Sequence, residues 1–361
     1  MYYLFLLLAI LALIGFFVFL FRKIRPLWKK LLGLLGSLIM VFVALFFFVF
    51  PPFGQIDSGV ADEVESQIIY LKHETAYKEY ETEKGQREIP VRVWCPKNNS
   101  KKNLPVLIFS HGSFGIDQSN EILFQQLAAK GYLVMSLSHP YHSFFTTLSD
   151  GKIINVDTAY MQEVLAQNQG LNYQERLDNY RKWVGLQVED MAYLVDQLED
   201  NQLESMINQP IDKDTIFLAG HSLGGAAALE IGRQEPQLFK GIVSLEAPFF
   251  GDIISADENQ FNFIEEEYPL PVLQIYSDAL WDKLPELGDS EYHTNVKLLD
   301  ANQDKFINYH VTDVGHLGLT DLRVSSPFLT NLIDGNINSK DYEDVLDEIN
   351  NQIFKFLEDK S

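Results

Sequence analysis

Residues 215–232 read TIFLAGHSLGGAAALEIG, and the reading of this stretch decides how the rest of the chain folds. TIFLAG is a short apolar run of strand character, and AAALEIG is a strong helix former. Between them Gly220, His221, Ser222, Leu223 and Gly224 spell GxSxG. A serine in that position predicts a sharp strand-to-helix turn that lifts its hydroxyl above the end of a sheet, with glycines letting backbone pass closely. The bland alternative is a Gly-rich turn with no chemistry, and only the surroundings separate the two.

Outward from Ser222, six further apolar runs punctuate the chain: VRVW at 91–94, VLIFS at 106–110, YLVMSLS at 132–138, GIVSLE at 241–246, VLQIYS at 272–277 and FINYHV at 306–311. Several lack period-two alternation, as expected of strands buried on both faces. Between and after them, Val184, Val188, Met191, Val195 and Leu198, and then Tyr342, Val345, Ile349, Ile353 and Phe356, recur at helical spacing. Strands alternating with helices predict an α/β fold with a mainly parallel central sheet and helices on both faces.

A serine hydroxyl needs a base, and the base needs a carboxylate to fix its tautomer. Of eight histidines, His316 in VTDVGHLGLTD follows the last strand run, where an order serine, acid, histidine puts the base. His310 lies within that run, His221 is expected to point away from the site, and His73 and His293 have no supporting context. His139 and His142, in SHPYHS, make an HxxH pair, a weak metal signal without further ligands. Two carboxylates sit at strand ends, Glu246 after GIVSL and Asp278 after VLQIYS, and sequence spacing does not separate them. In IFSHGSFG, a glycine-containing turn after VLIFS predicts that the N–H groups of Ser113 and Leu223 form an oxyanion hole. Phe114, Phe144, Phe145, Phe249, Phe250 and Trp281 lie near these loops and are candidates for the wall of an acyl pocket. The polar segments 151–185 and 252–268 are candidates for a lid or for surface excursions.

The first fifty residues are of another kind. Two uncharged apolar runs, 2–21 and 31–50, are each long enough to span a hydrocarbon core of ~30 Å as a helix. Between them the basic loop RKIRPLWKK, 22–30, contrasts with Asp57, Asp62, Glu63 and Glu65 beyond the second run. The positive-inside bias then places the loop in the cytoplasm and everything after Pro51 outside it. A signal peptide would show a basic start and a small-residue cleavage site, and the sequence has neither. The expected organisation is a two-helix membrane anchor over 1–50, a linker with the first strands over 51–86, and a catalytic domain over 87–361.

The whole chain has 361 residues and a formal net charge of −22, and the five basic residues of the anchor leave the rest more acidic still. Nucleic acid is therefore not an expected partner. A single cysteine, Cys95, excludes an internal disulfide and any CxxC site, and its strand-like context predicts a packed core thiol.

Taken together, REIPVRVWCP at 87–96, PVLIFSHGSFG at 105–115, GYLVMSLSHPYHS at 131–143, SDGK at 149–152, VEDMAYLVDQLED at 188–200, TIFLAGHSLGGAAA at 215–228, GIVSLEAP at 241–248 and GHLGLTDL at 315–322 resemble the platelet-activating factor acetylhydrolase family of α/β-hydrolases, its bacterial members in particular. The resemblance implies Ser222 as nucleophile, His316 as base and Glu246 as the acid, with oxyanion donors at Ser113 and Leu223. It departs from the family in having glutamate where aspartate is usual, and Cys95 where an aromatic is usual. It implies a serine carboxylic-ester hydrolase that works through an acyl-enzyme on short-acyl esters, lipid-derived esters included, with no cofactor or metal. Two other readings share the sequence: an anchored binding or scaffold protein that kept the fold without activity, and a thioesterase or amidase with the same triad.

Overall fold

The computed structural model describes residues 3–52, 58–99, 103–167, 169–199, 202–335 and 337–361; Tyr2 and Asp57 lie outside them. Two apolar helices come first, α1 (Tyr3–Phe21) and α2 (Leu27–Val49), both long and apolar enough to cross a membrane. The second begins at Leu27, directly after Pro26, and not at position 31 as hydropathy suggests. Lys29 and Lys30 are therefore helical, and Lys30 Nζ donates to the Leu20 carbonyl at the end of α1 (2.7 Å). Long basic side chains reach out of an apolar helix in this way, so charge alone misplaces its start.

The remaining helices, in chain order, are α3 (Glu121–Ala129), α4 (Thr158–Ala166), α5 (Tyr173–Glu199), α6 (Gln202–Ile207), α7 (Leu223–Gln234), α8 (His293–Leu299), α9 (Leu322–Ser325), α10 (Pro327–Ile333) and α11 (Tyr342–Lys360). The central sheet has eight strands: β1 (Val64–His73), β2 (Arg87–Pro96), β3 (Leu104–Ser110), β4 (Leu133–Leu137), β5 (Ile211–His221), β6 (Gly241–Leu245), β7 (Val272–Tyr276) and β8 (Phe306–His310). Their order across the sheet is β1, β2, β4, β3, β5, β6, β7, β8. Pairing is antiparallel at β1–β2 and β2–β4 and parallel everywhere else. This is the α/β-hydrolase fold.

Side chains alternate between two cores. Val106 and Ile108 of β3 and Ile216 and Leu218 of β5 face the layer of α5 and α7, against Val184, Met191, Ala227 and Ile231. Leu107, Phe109, Phe217 and Ala219 face the opposite layer, against Phe124 of α3 and Ile353 and Phe356 of α11. Burial on both faces explains why the strands read as continuous apolar runs. Cys95 is buried in the first of these cores, and burial pushes its thiol up to about 12.

Register fixes where the loops meet. Ser110 pairs with Gly220, Gly220 with Ser244, and His221 with Leu245. The turns leaving β3, β5 and β6 therefore emerge side by side at the C-terminal edge of the sheet, where open parallel sheets place their sites. At the end of α2, Ser326 donates to the Val49 carbonyl (2.6 Å) and Phe328 of α10 packs on Phe48 with ring centroids 4.6 Å apart.

Candidate active site

Ser222 sits at the tip of the turn between β5 and α7 with φ 52° and ψ −122°, a conformation non-glycine residues hold only when their surroundings force it. The force is close packing of backbone. A Cβ on Gly220 would lie 2.4 Å from the Gly224 carbonyl, and one on Gly224 would lie 2.1 Å from the Ser110 carbonyl oxygen. Ser222 N–H donates to the Leu245 carbonyl (2.9 Å), tying the turn to the end of β6.

Glu246 is the next residue along β6 and also holds a positive φ, 51°. Its Oε1 stands 2.6 Å from His316 Nδ1, and its Oε2 accepts the Ser277 N–H at 2.6 Å. Asp278 is engaged elsewhere: Oδ1 meets His310 Nε2 at 2.7 Å and Oδ2 accepts the Asp313 N–H at 2.7 Å. Of the two carboxylates that strand-end position left open, Glu246 is the one beside His316. From this positive-φ position the glutamate side chain reaches His316 in the loop after β8.

Burial disfavours a charge on His316, but the hydrogen bond and charge of Glu246, joined by the charge of Asp334, outweigh it and raise the imidazole above its ordinary 6.5. With Nδ1 committed to the carboxylate, Nε2 is the nitrogen left for a substrate-side proton. Ser222 Oγ forms no hydrogen bond among the described residues. Its neighbour bridges the two loops instead: His221 Nε2–H donates to the His316 carbonyl (3.0 Å), and the two rings lie 4.5 Å apart. His221 thus faces the His316 loop rather than away from it, because a buried imidazole needs a partner and that carbonyl is within reach. Burial and the adjacent His316 push it well below 6.5, so it is a neutral donor.

A second clamp was not legible from sequence motifs. Asp334 accepts the N–H groups of Leu317 and Gly318 (both 3.1 Å), and Asn338 accepts the N–H of Gly315 (2.8 Å) and donates to Asp334 (2.9 Å). The loop that carries His316 is therefore held on both sides. The only signal in the sequence is GHLG itself: a Cβ on Gly315 would lie 2.4 Å from Asp334, and one on Gly318 2.1 Å from Asn338.

On the other side of Ser222, Gly112 approaches so closely that a Cβ there would lie 3.0 Å from the serine Cβ. Ser113 follows, and neither its N–H nor that of Leu223 is taken by a hydrogen bond among the described residues. Phe114 N–H is spent on the His142 carbonyl (3.1 Å), and Gly115 N–H on Gly112 (3.0 Å). Two unclaimed donors flank the Ser222 turn, the arrangement an oxyanion hole requires.

Beneath this turn lies a buried polar network. Arg87 grips Asp190 with two hydrogen bonds (2.8 and 2.9 Å), both side chains being fully buried, and Asp190 also receives His73 (3.1 Å) and His139 (2.8 Å). Burial opposes its charge, yet Arg87 and the two histidines hold the carboxyl well below the ordinary 3.8. His139 Nε2 meets Ser110 at 2.9 Å, so both its ring nitrogens are engaged. His142 stacks on Tyr160 with ring centroids 3.9 Å apart. Among the described residues no cluster of three or more metal-ligating side chains forms. Asp190→Ala would strand the Arg87 charge, and a loss of about 3–5 kcal/mol is expected, read from thermal unfolding of the detergent-solubilised full chain.

The six aromatics near the loops divide. Phe249 is buried in the core, Phe250 stacks on Tyr180 (4.0 Å) and Trp281 on His310 (4.9 Å), and Phe114 packs against Tyr160 (5.6 Å). Phe144 and Phe145 are exposed. Of the two polar segments, 151–185 contributes α4 and the start of α5, and 252–268 contributes a hairpin, Ile253–Ala256 with Phe261–Phe263.

The family model for platelet-activating factor acetylhydrolase, isoform II, matches residues 66–251, more than half of the chain. The chain belongs to the platelet-activating factor acetylhydrolase family. The dog platelet-activating factor acetylhydrolase is 25% identical over 175 residues, which are 43% of this chain and 37% of the dog protein. The chain thus spans little over a third of the length of that curated relative. A ferulic acid esterase from Streptomyces cinnamoneus superposes with a TM-score of 0.57 at 18% identity, over 82% of this chain and 89% of that one, a likeness of fold. The family match ends at residue 251, so it covers Ser222 and Glu246, while His316 lies beyond it.

Proposed function

We propose that this member of the platelet-activating factor acetylhydrolase family is a membrane-anchored serine carboxylic-ester hydrolase. The observation that carries the proposal is the short contact of Glu246 with His316, set beside the strained turn of Ser222. His316 Nε2 takes the Ser222 proton as Oγ attacks the ester carbonyl, and Glu246 holds the ring in the tautomer that permits this. The oxyanion forms between the N–H groups of Ser113 and Leu223. His316 then protonates the leaving alcohol, and a water that it activates hydrolyses the acyl-enzyme. No step draws on a metal or organic cofactor.

In this reading α1 and α2 span the membrane, the basic loop between them is cytoplasmic, and the catalytic domain, 87–361, lies on the opposite side. Substrates are esters with short acyl chains, lipid-derived esters included. The full chain in detergent is expected to hydrolyse p-nitrophenyl acetate with a higher kcat/KM than the butyrate and long-chain esters. A preference for the long chains would reject the short-acyl assignment.

A further inference from the structure

Tyr160 of α4 is fully buried, and its one polar side-chain atom is spent on a single partner, the Ser113 hydroxyl, at 2.9 Å. The tyrosine is a rigid post. Its ring is stacked on His142 and packed against Phe114 and Trp183, and its own N–H is held by the Asp157 cap (2.8 Å). Burial pushes the phenol well above its ordinary 10, so it stays protonated and is available as a donor.

A serine hydroxyl has one proton and two lone pairs. When the phenol donates to Ser113 Oγ, the serine proton is left to point elsewhere. Ser113 follows Gly112, which lies against the Ser222 Cβ, and its own N–H is unclaimed among the described residues. We propose that the Ser113 hydroxyl, held in place by the Tyr160 phenol, is a third donor to the oxyanion beside the N–H groups of Ser113 and Leu223. This rests on the reading of Ser222 as the nucleophile. The phenol acts through the serine and is a positioning group; the serine hydroxyl touches the reacting oxygen.

The proposal differs from a structural pairing in what a double variant does. Four full-length proteins in detergent are compared on p-nitrophenyl acetate, with kcat, KM and thermal midpoint for each: wild type, Ser113→Ala, Tyr160→Phe and the double variant. Ser113→Ala is expected to lower kcat about tenfold or more with KM nearly unchanged, since two backbone donors remain. It also orphans the buried phenol and lowers the midpoint. Tyr160→Phe, which frees the serine rotor, is expected to cost about threefold in kcat. The double variant should regain much of the midpoint while its kcat stays as low as that of Ser113→Ala. Recovery of wild-type kcat in the double variant, or a Ser113→Ala protein that loses only thermal stability, overturns the proposal alone. Wild-type turnover that survives Ser222→Ala overturns the nucleophile reading, and this proposal with it.

Discussion

Ser222→Ala is expected to reduce turnover of a short-acyl ester by a factor on the order of 10⁵ to 10⁶ while leaving the fold intact. The size follows from the chemistry: no other side chain at the tip of the turn supplies an oxygen, and the acyl-enzyme route closes. What the proposed mechanism leaves is the modest catalysis of the proposed oxyanion hole and bound substrate. The fold is spared because Ser222 Oγ forms no hydrogen bond among the described residues, and its backbone tie to Leu245 uses the N–H that alanine keeps. The strain at φ 52° is carried by either residue. Soluble yield and thermal midpoint in detergent, measured beside kcat, separate lost chemistry from lost structure.

Glu246→Gln is expected to cost about 10⁴ in kcat, because an amide facing His316 Nδ1 no longer enforces the productive tautomer or stabilises the imidazolium. Asp278→Asn is the control. Its carboxylate holds His310 and the Asp313 N–H and makes no hydrogen bond to His316 among the described residues, so kcat should stay within about threefold. The two variants also differ in pH dependence. In the proposed mechanism His316 must be neutral to accept the serine proton, so activity is expected to fall as pH drops through its pKa, which lies above the ordinary 6.5. The acid limb of kcat/KM in the wild type should therefore have its midpoint above that value. Glu246→Gln removes the hydrogen bond and charge that raise it, and the residual activity should survive to lower pH. An unchanged acid limb in Glu246→Gln would mean that this carboxylate does not govern the base.

Much of this was legible because the strands and turns announce themselves locally. All seven apolar runs are strands of the sheet, and the turn around Ser222 has the order strand, turn, helix. The edge strand β1 lies in the stretch 51–86 expected to hold the first strands, but its bounds could not be read there because it is buried on only part of its length: Glu65, Ser66, Gln67 and Ile68 are exposed, so VESQIIYLKH reads as mixed polar sequence. Glu246 and Asp278 could not be separated by strand-end position, since both follow parallel strands; they differ in where the side chains point, Glu246 meeting His316 and Asp278 meeting His310. The resemblance to the family favoured Glu246, and the 2.6 Å contact with His316 agrees with it.

The supporting groups were invisible for a related reason. Asp334 and Asn338 reach the His316 loop from α10's far end, and Asp190 meets Arg87 across more than a hundred residues of chain. No local period marks such partners. The contact of His221 with the His316 carbonyl has the same character, because residue order on a strand gives a side chain's side and not the carbonyl it will find. The short helix α4, with Tyr160 aimed at Ser113, sits within a stretch whose polar composition resembles any surface excursion.

The most direct test of the central claim is reaction of the detergent-solubilised full chain with a fluorophosphonate, followed by mass spectrometric mapping of the adduct. The account predicts one modified residue, Ser222, with labelling lost in Ser222→Ala and strongly slowed in His316→Ala. Labelling at another serine, or a folded wild-type chain that remains unmodified, would contradict it.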